Sequence, residues 1–194
     1  MKIYDITRTV QEAPVYPGST PPEIRKISDM SAGDLYNCSM ITADSHIGTH
    51  ADAFSHFLAD SDRTIDKMDL NHYCGKCRVI TVPGGTLIKM DDIRGRLEGG
   101  ERIVLHSGGN SYLCEEAAEY MAACGVKTVV TDAVSIGPDD NEAAIHGILF
   151  RAGVAVVENV TLEGVADGEY LLFAFPVKYG GCDGAPVRAV LVSE

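Results

Sequence analysis

A run of side chains that could bind a metal lies between residues 45 and 57. His46, His50, Asp52 and His56 are separated by four, two and four positions. Imidazole and carboxylate groups together suit a borderline cation, with zinc as the usual choice and manganese or iron as alternatives. A catalytic ion keeps one position open for water, whose pKa it lowers towards about 7, and an imidazole off the metal could carry the proton. The sequence therefore predicts a hydrolytic metal centre.

The spacing of this run favours one backbone conformation. Its even separations place His46, His50 and Asp52 on one side of an extended segment. A helix would keep His46 and His50 on one face but would turn Asp52 away. Gly48 weakens the helical alternative and permits a close backbone approach. Three of the six histidines fall within eleven residues, and this crowding favours metal binding or catalysis over an exposed polar loop.

Two further side chains stand in apolar surroundings. Glu158 ends the apolar run 154–158, where burying a carboxylate costs several kcal/mol unless it is paired or metal-bound. His146 lies on a predicted helix. Each alone is more typical of a strand-end charge or a core histidine, but together they could complete a metal site from its far side. His72 and His106 are interpreted as structural, with His106 the better candidate to line a pocket.

Composition excludes some functions. The chain has 194 residues and a formal net charge of −12, and this acidity argues against a nucleic-acid partner. Residues 1–10 are predicted to be a strand rather than a signal peptide, and no apolar run reaches the roughly 20 residues that span a bilayer. We therefore expect no membrane partner, a cytoplasmic location and reduced cysteines. The C-x-x-C pair Cys74 and Cys77 precedes a predicted strand, a context that favours ordinary thiols.

Hydrophobic periodicity predicts one α/β domain over residues 1–194 with a mixed sheet or barrel-like core. Turn residues punctuate the first third, and strands outnumber helices. The predicted strands are 1–10, 23–30, 36–43, 78–82, 101–106, 127–132, 154–158, 170–176 and 187–193. The predicted helices are 90–97, 113–124 and 140–151, with a loop and short helix over 60–73.

The run His46-x-Gly48-Thr49-His50-x-Asp52-x-Phe54-x-His56, followed by Phe57, resembles the signature H-x-G-T-H-x-D-x-P-x-H of the cyclase family of metal-dependent hydrolases. That family includes bacterial kynurenine formamidases and isatin hydrolases. The resemblance covers most of the chain. Its other matching segments are Tyr4–Thr7, Tyr16–Gly18, Thr64–Asp66, Thr131–Ile136, the pair His146 and Glu158, and Gly181–Arg188.

The resemblance implies a role for each matching residue. His46, His50 and Asp52 would bind the metal, with Asp52 able to bridge two ions, and His56 would be the general base and acid. It also implies one or two zinc ions, with manganese as the alternative, a swivelling β/α/β fold, and assembly as a homodimer or homotetramer. Four further residues receive roles on the same basis: His146 and Glu158 at a second ion or the outer side of the first, and Tyr16 and Phe57 in substrate binding.

Two departures from the family pattern concern the expected pocket. Phe54 replaces a proline that rigidifies the turn between Asp52 and His56. His106-Ser107-Gly108 stands where many members have Arg-Thr-Gly. Both changes bear on the identity of the substrate.

The function that follows is hydrolysis of an amide or lactam-type C–N bond, or a related ester, in a small carbonyl substrate, with N-formylkynurenine as the best single candidate. One alternative is a cyclase or lactonase acting on another small carbonyl compound. The other is a metal-binding protein without turnover.

Overall fold

The computed structural model describes residues 1–193, which form one large sheet, two small sheets and three short α-helices. The strands are β1 (Lys2–Asp5), β2 (Glu23–Ser28), β3 (Cys38–Thr42), β4 (His50–Asp52), β5 (Cys74–Thr81), β6 (Leu87–Ile88), β7 (Arg102–His106), β8 (Tyr112–Leu113), β9 (Thr128–Thr131), β10 (Ala155–Glu158), β11 (Gly168–Phe173), β12 (Gly184–Pro186) and β13 (Val190–Ser193). The helices are α1 (Met90–Ile93), α2 (Glu115–Ala123) and α3 (Glu142–Arg151). Single 3₁₀ turns occupy Met30–Ala32, Phe54–His56, Ile65–Lys67 and Leu70–His72.

The large sheet is mixed, as the sequence predicts. Its strand order is β1-β13-β11-β5-β7-β9-β10-β4-β12. Strands β5, β7, β9 and β10 run parallel to their neighbours in the centre, and antiparallel pairs flank them on both sides. The sheet curls into a half-barrel. The predicted α/β class with a mixed, barrel-like core is confirmed.

The central strands are apolar on both faces. Ile103, Val104 and Leu105 of β7 are completely buried, because a parallel strand that is covered on both sides has no solvent face to alternate with. Helix α2 lies between α1 and α3. It is terminated by Gly125, which follows the C-cap and adopts the left-handed conformation with φ of 74°. The longest helix, α3, has ten residues. No helix within residues 1–193 has the length and apolarity needed to cross a membrane.

Strands β2 and β3 form a separate antiparallel hairpin outside the large sheet. Nearly every residue of both strands is exposed. Ile24 and Ile41 lie directly opposite each other, and 41% and 66% of their surfaces are exposed. A hairpin with apolar side chains in solvent has little to stabilise it alone.

Two local predictions are wrong. The predicted helix 90–97 is a single turn, Met90–Ile93, because Gly95 with φ of 71° turns the chain away. The C-x-x-C pair does not precede its strand but lies inside it, since β5 begins at Cys74. Burial raises the pKa of Cys77 to about 12, which makes it an ordinary core thiol. All six cysteines are free.

Candidate active site

Strand β4 holds two of the predicted ligands at one end of the large sheet. It lies between β10 and β12, with His50 directly opposite Glu158 and Asp52 opposite Gly184. Alternate residues of a strand share a face, so His50 and Asp52 point to one side while Ala51, completely buried, points to the other. The exposed fractions of His50, Asp52 and Glu158 are 3%, 1% and 4%.

His46 reaches the same place by a different route from the one predicted. The chain is not extended from residue 46 to residue 52, because β4 begins only at His50 and a turn precedes it. Gly48, with φ of 64°, makes that turn in the left-handed region. The ring then lies against β12, where a Cβ atom on Gly184 would stand 2.6 Å from His46 Cε1. The absence of a side chain at Gly184 is therefore what leaves room for His46.

His56 lies beside His46 and is held by an acidic residue. Its ring stacks on that of His46, with centroids 3.9 Å apart. Its Nδ1 lies 3.1 Å from Asp183 Oδ2, and the same oxygen lies 3.1 Å from His46 Nε2. The second oxygen, Oδ1, accepts a hydrogen bond from the Ser45 hydroxyl at 3.0 Å. Asp183 thus connects two of the predicted site histidines.

Phe54 does not line this pocket, contrary to the expectation from the family pattern. It is 1% exposed and packs on Phe150 at 5.3 Å between ring centroids, while the guanidinium of Arg63 covers its face at 4.2 Å. A 3₁₀ turn over Phe54–His56, closed by the bond from His56 N to Ala53 O, fixes the local backbone. Core packing and this turn hold the segment where a proline ring would otherwise restrict it.

The second predicted pair meets the first cluster in space. His146 on α3 and Glu158 at the end of β10 approach with Nε2 and Oε1 3.2 Å apart. His146 Nε2 is also 3.3 Å from Asp52 Oδ2, and His50 Nε2 is 3.5 Å from Glu158 Oε2. Asn159, in the left-handed region at φ of 59°, follows immediately and turns the chain so that Glu158 ends the strand.

The orientation of two histidines fits a metal site. His50 Nδ1 lies 2.9 Å from Gly48 O, and His146 Nδ1 lies 3.0 Å from Glu142 O. Each backbone carbonyl accepts the Nδ1 proton and leaves Nε2 with its lone pair towards the carboxylates, which is the second-sphere arrangement of metal-binding histidines. A lone pair facing carboxylate oxygens is repulsive unless a proton or a cation lies between them.

The distances among the donor atoms also suit an ion. Four separations of 3.2 to 3.5 Å join His50 and His146 Nε2 to oxygens of Asp52 and Glu158. Donors around a tetrahedral ion with bonds of about 2.1 Å lie about 3.4 Å apart. Asp52 Oδ2 is buried without a hydrogen-bond partner. Within residues 1–193, Asp52 belongs to two trios that could hold an ion, one with His46 and His50 and one with His146 and Glu158.

The electrostatic potential at the cluster is negative. Burial lowers the pKa of His146, but the neighbouring carboxylates of Asp52 and Glu158 outweigh it and raise that pKa to about 10. Burial likewise opposes the effect of Asp52 and Asp183 on His46, whose pKa they raise to about 9. Burial lowers the pKa of His56, which leaves its ring neutral near pH 7. Carboxylates that draw protons onto these imidazoles would equally stabilise a divalent cation.

A cavity of about 200 Å³ opens over the cluster. Both predicted substrate-binding residues, Tyr16 and Phe57, line it, and Tyr16 belongs to the same chain as the cluster. The Phe57 ring stacks on His146 with centroids 4.4 Å apart. The Tyr16 hydroxyl donates to Glu142 Oε2 at 2.9 Å. A larger cleft of about 360 Å³ lies along residues 95–101 but is lined by no histidine.

The site contains two carboxylates, those of Asp183 and Glu142, that were assigned no role from the sequence. Asp183 lies in the matched C-terminal segment, but nothing in its spacing links it to the histidine run 130 positions earlier. Glu142 stands four residues before His146, so both lie on one face of α3. That i, i+4 spacing could have predicted from the sequence that Glu142 lies near His146.

His106 is not among the residues that line the cavity, contrary to expectation. It ends β7, and the backbone N–H groups of Ser107 and Gly108 that follow donate to the Asp132 carboxylate at 2.9 to 3.1 Å. His72, predicted to be structural, does not line the cavity either, and its Nδ1 lies 3.0 Å from Lys127 O. The His106 segment therefore packs around Asp132 at the carboxyl ends of the central strands β7 and β9, and not at the cavity.

Similarities to known proteins identify the family of the chain. A sequence model described as "Putative cyclase" matches residues 4–138. A kynurenine formamidase from Bacillus cytotoxicus is 35% identical, with the alignment covering 93% of this chain and 91% of the relative. A kynurenine formamidase from Delftia acidovorans is 36% identical, with coverage of 98% and 97%.

A solved structure described as a "predicted metal-dependent hydrolase from Bacillus stearothermophilus" superimposes with a TM-score of 0.82 at 29% identity, covering 98% of this chain and 97% of that one. Fold, site and relatives together define an enzyme of the metal-dependent hydrolase class. The chain belongs to the cyclase family.

Proposed function

We propose that this enzyme hydrolyses the formamide C–N bond of N-formylkynurenine, releasing formate and the free arylamine. The observation that carries the proposal is the convergence of His46, His50, Asp52, His146 and Glu158 beneath a cavity at whose wall His56 lies. The two formamidases that are 35% and 36% identical over nearly the whole chain support this substrate.

In this proposal these five residues would hold one or two zinc ions, with manganese as the alternative. His46, His50 and Asp52 hold the first, and Asp52 is shared with His146 and Glu158, which hold a second or the outer side of the first. Such an ion would supply a Lewis acid for the carbonyl and would lower the pKa of water towards about 7, which makes hydroxide available near neutral pH. The orphaned Asp52 Oδ2 and the two carbonyl-anchored histidines support the assignment.

His56 moves the proton. Its Nδ1 faces Asp183, so the atom that can exchange a proton with substrate is Nε2. The neutral ring accepts a proton from the attacking water and returns it to the leaving nitrogen, which departs as an amine. Asp183 holds the ring in one orientation and stabilises the imidazolium that forms between the two transfers.

Phe57 and Tyr16 bind the substrate. Phe57 is fixed against His146 at 4.4 Å and meets His56 edge-on at 4.4 Å, so its ring stands where an aryl group attached to the scissile nitrogen can pack. Tyr16 lines the same cavity, where its hydroxyl donates to Glu142.

The test begins with the metal. We expect tag-free protein to contain one or two equivalents of zinc or manganese by elemental analysis, and we expect His50→Ala to lose it. His72→Ala, which removes a histidine outside the cluster, is the matched control and should keep the metal. Absence of stoichiometric metal after reconstitution of the wild-type protein would contradict the proposed centre.

Substrate identity is tested with a panel of N-formylkynurenine, isatin and simple lactones. We expect kcat/KM for N-formylkynurenine to exceed kcat/KM for isatin and the lactones by at least about 100-fold. Discrimination of this size is typical of a site whose polar groups hydrogen-bond one substrate and are left unpaired by the others. Faster lactone hydrolysis would support a lactonase, and tight metal binding without turnover of any compound would contradict an enzymatic role.

We also propose that the chain assembles as a homodimer or homotetramer through the β2–β3 hairpin. Ile24 and Ile41 form an exposed apolar pair on it, and Leu35 and Tyr36 at its end are 93% and 62% exposed. An apolar, two-stranded ribbon of this kind gains stability when a second surface covers it.

A further inference from the structure

We propose that Glu142 makes this cavity selective for substrates that carry a positively charged amine on the side chain adjacent to the scissile formamide, and that it disfavours substrates whose side chain carries only a carboxylate. The inference rests on the proposed hydrolytic function and names the charge of its substrate class. Some carboxylates in the cavity have no counter-charge even when the metal centre is complete.

The charge balance of the cavity is one-sided. Three carboxylates line it, from Asp44, Glu142 and Glu158, and none of its lining residues is a lysine or an arginine. Glu158 belongs to a trio that could hold an ion, so its charge is compensated there. Asp44 and Glu142 belong to no such trio within the described residues. Their negative charges therefore face the space that the substrate must occupy.

Glu142 is held ready to bind a donor. The Tyr16 hydroxyl donates to Oε2 at 2.9 Å and the Ser135 hydroxyl donates to Oε1 at 2.6 Å. A carboxylate offers about four lone-pair positions, so each oxygen keeps acceptor capacity after these two bonds. Because both donors are neutral, the negative charge on Glu142 is oriented but not cancelled.

The position of Glu142 relates this charge to the reaction. Its backbone carbonyl accepts the Nδ1 proton of His146 at 3.0 Å, so the carboxylate stands one helical turn from a proposed ligand. An ammonium group placed near Glu142 would make a charge-assisted hydrogen bond. A carboxylate in the same place would meet the charges of Asp44 and Glu142, which no lysine or arginine of the cavity wall offsets, and like charges at short range in a partly dry site repel strongly.

The experiment uses three aryl formamides with one 2-formamidophenyl ketone core, whose side chain ends in an ammonium, a hydroxyl or a carboxylate. With the metal-loaded enzyme we expect kcat/KM to follow that order, with about a 10-fold advantage for the ammonium over the hydroxyl compound, a range typical of a hydrogen bond to a charged group. Glu142→Gln should remove this advantage and raise the relative rate of the carboxylate compound.

Two further variants separate charge from architecture. Tyr16→Phe removes a donor to Glu142 but keeps its charge, so the ratio of ammonium to hydroxyl substrate should stay within about threefold of wild type. Glu163→Gln removes one exposed surface carboxylate and controls for net charge. Equal loss of selectivity in Tyr16→Phe and Glu142→Gln would overturn the proposal in favour of a structural network.

A binding measurement keeps this test independent of turnover. Calorimetry with the corresponding arylamine products, one bearing an ammonium and one a hydroxyl, should show preference for the ammonium in wild type and none in Glu142→Gln. If no formamide is hydrolysed but this preference is found, the proposed reaction falls and the amine subsite stands. If wild type binds both products equally, or prefers the carboxylate substrate, the subsite falls.

Discussion

The Asp183 carboxylate lies 3.1 Å from His56 Nδ1 and 3.1 Å from His46 Nε2, through the same oxygen. One acidic residue from the C-terminal part of the chain therefore orients the proposed proton carrier and one proposed metal ligand together. Burial raises the pKa of Asp183, but the interactions with His46 and Ser45 outweigh it and hold that pKa at about 2, so the carboxylate is ionised throughout the neutral range.

Asp183→Asn should lower kcat by about 10- to 100-fold, since general-base catalysis contributes 100- to 10,000-fold and the variant keeps an acceptor but loses the charge that stabilises the imidazolium. Steady-state kinetics of metal-loaded protein measures this, and KM should change less than kcat. Ser45→Ala, which removes the donor to Asp183 Oδ1, is the matched control and should retain most activity. An unchanged kcat in Asp183→Asn would show that the carboxylate does not act through His56.

His56→Ala should abolish measurable turnover while leaving bound metal nearly unchanged. The ring stacks on His46. It belongs with His46 and Asp183 to a third trio that could hold an ion, but neither of the two trios that contain Asp52, the proposed centre, includes it. Elemental analysis and kinetics on the same preparation separate the two quantities. Activity equal to wild type would contradict the proton-transfer role, and loss of metal would reassign His56 as a ligand.

Gly184→Ala should weaken metal binding although residue 184 carries no ligand atom. The new Cβ would stand 2.6 Å from His46 Cε1 and 2.9 Å from Nε2, so the ring must move. Overpacking of this kind costs about 1–3 kcal/mol of stability. Competition with a chelator and thermal unfolding measure the two effects. Gly180→Ala, where nothing lies within 4 Å of the added Cβ, should match wild type in both, and equal behaviour of the two variants would contradict the steric argument.

Ile24→Lys with Ile41→Lys should convert the proposed oligomer to a monomer, because two charges on the apolar face of the β2–β3 hairpin oppose burial against a second copy. Sedimentation velocity gives the mass. Leu70→Lys, at an apolar residue 57% exposed outside the hairpin, controls for added charge. A wild-type protein that sediments as a monomer would remove the basis for the assembly.

The amino-acid sequence by itself determined the class of the fold and most of the proposed metal cluster. Apolar runs such as 101–106 and 154–158 specify buried strands because their side chains leave no solvent face. The spaced run of His46, His50, Asp52 and His56 specifies a cation site by donor chemistry alone. Features of this kind can be predicted from the sequence because they depend on residues only a few positions apart.

Only the tertiary structure determined which residues from distant segments of the chain come into contact. Pairing of β10 with β4 sets Glu158 opposite His50, and the return of β12 brings Asp183 to His56 and Gly184 to His46. Turn geometry at Gly48 also replaced the extended path predicted for His46. Strand register and chain crossings depend on the packing of the whole sheet, so no local pattern encodes which carboxylate meets which histidine.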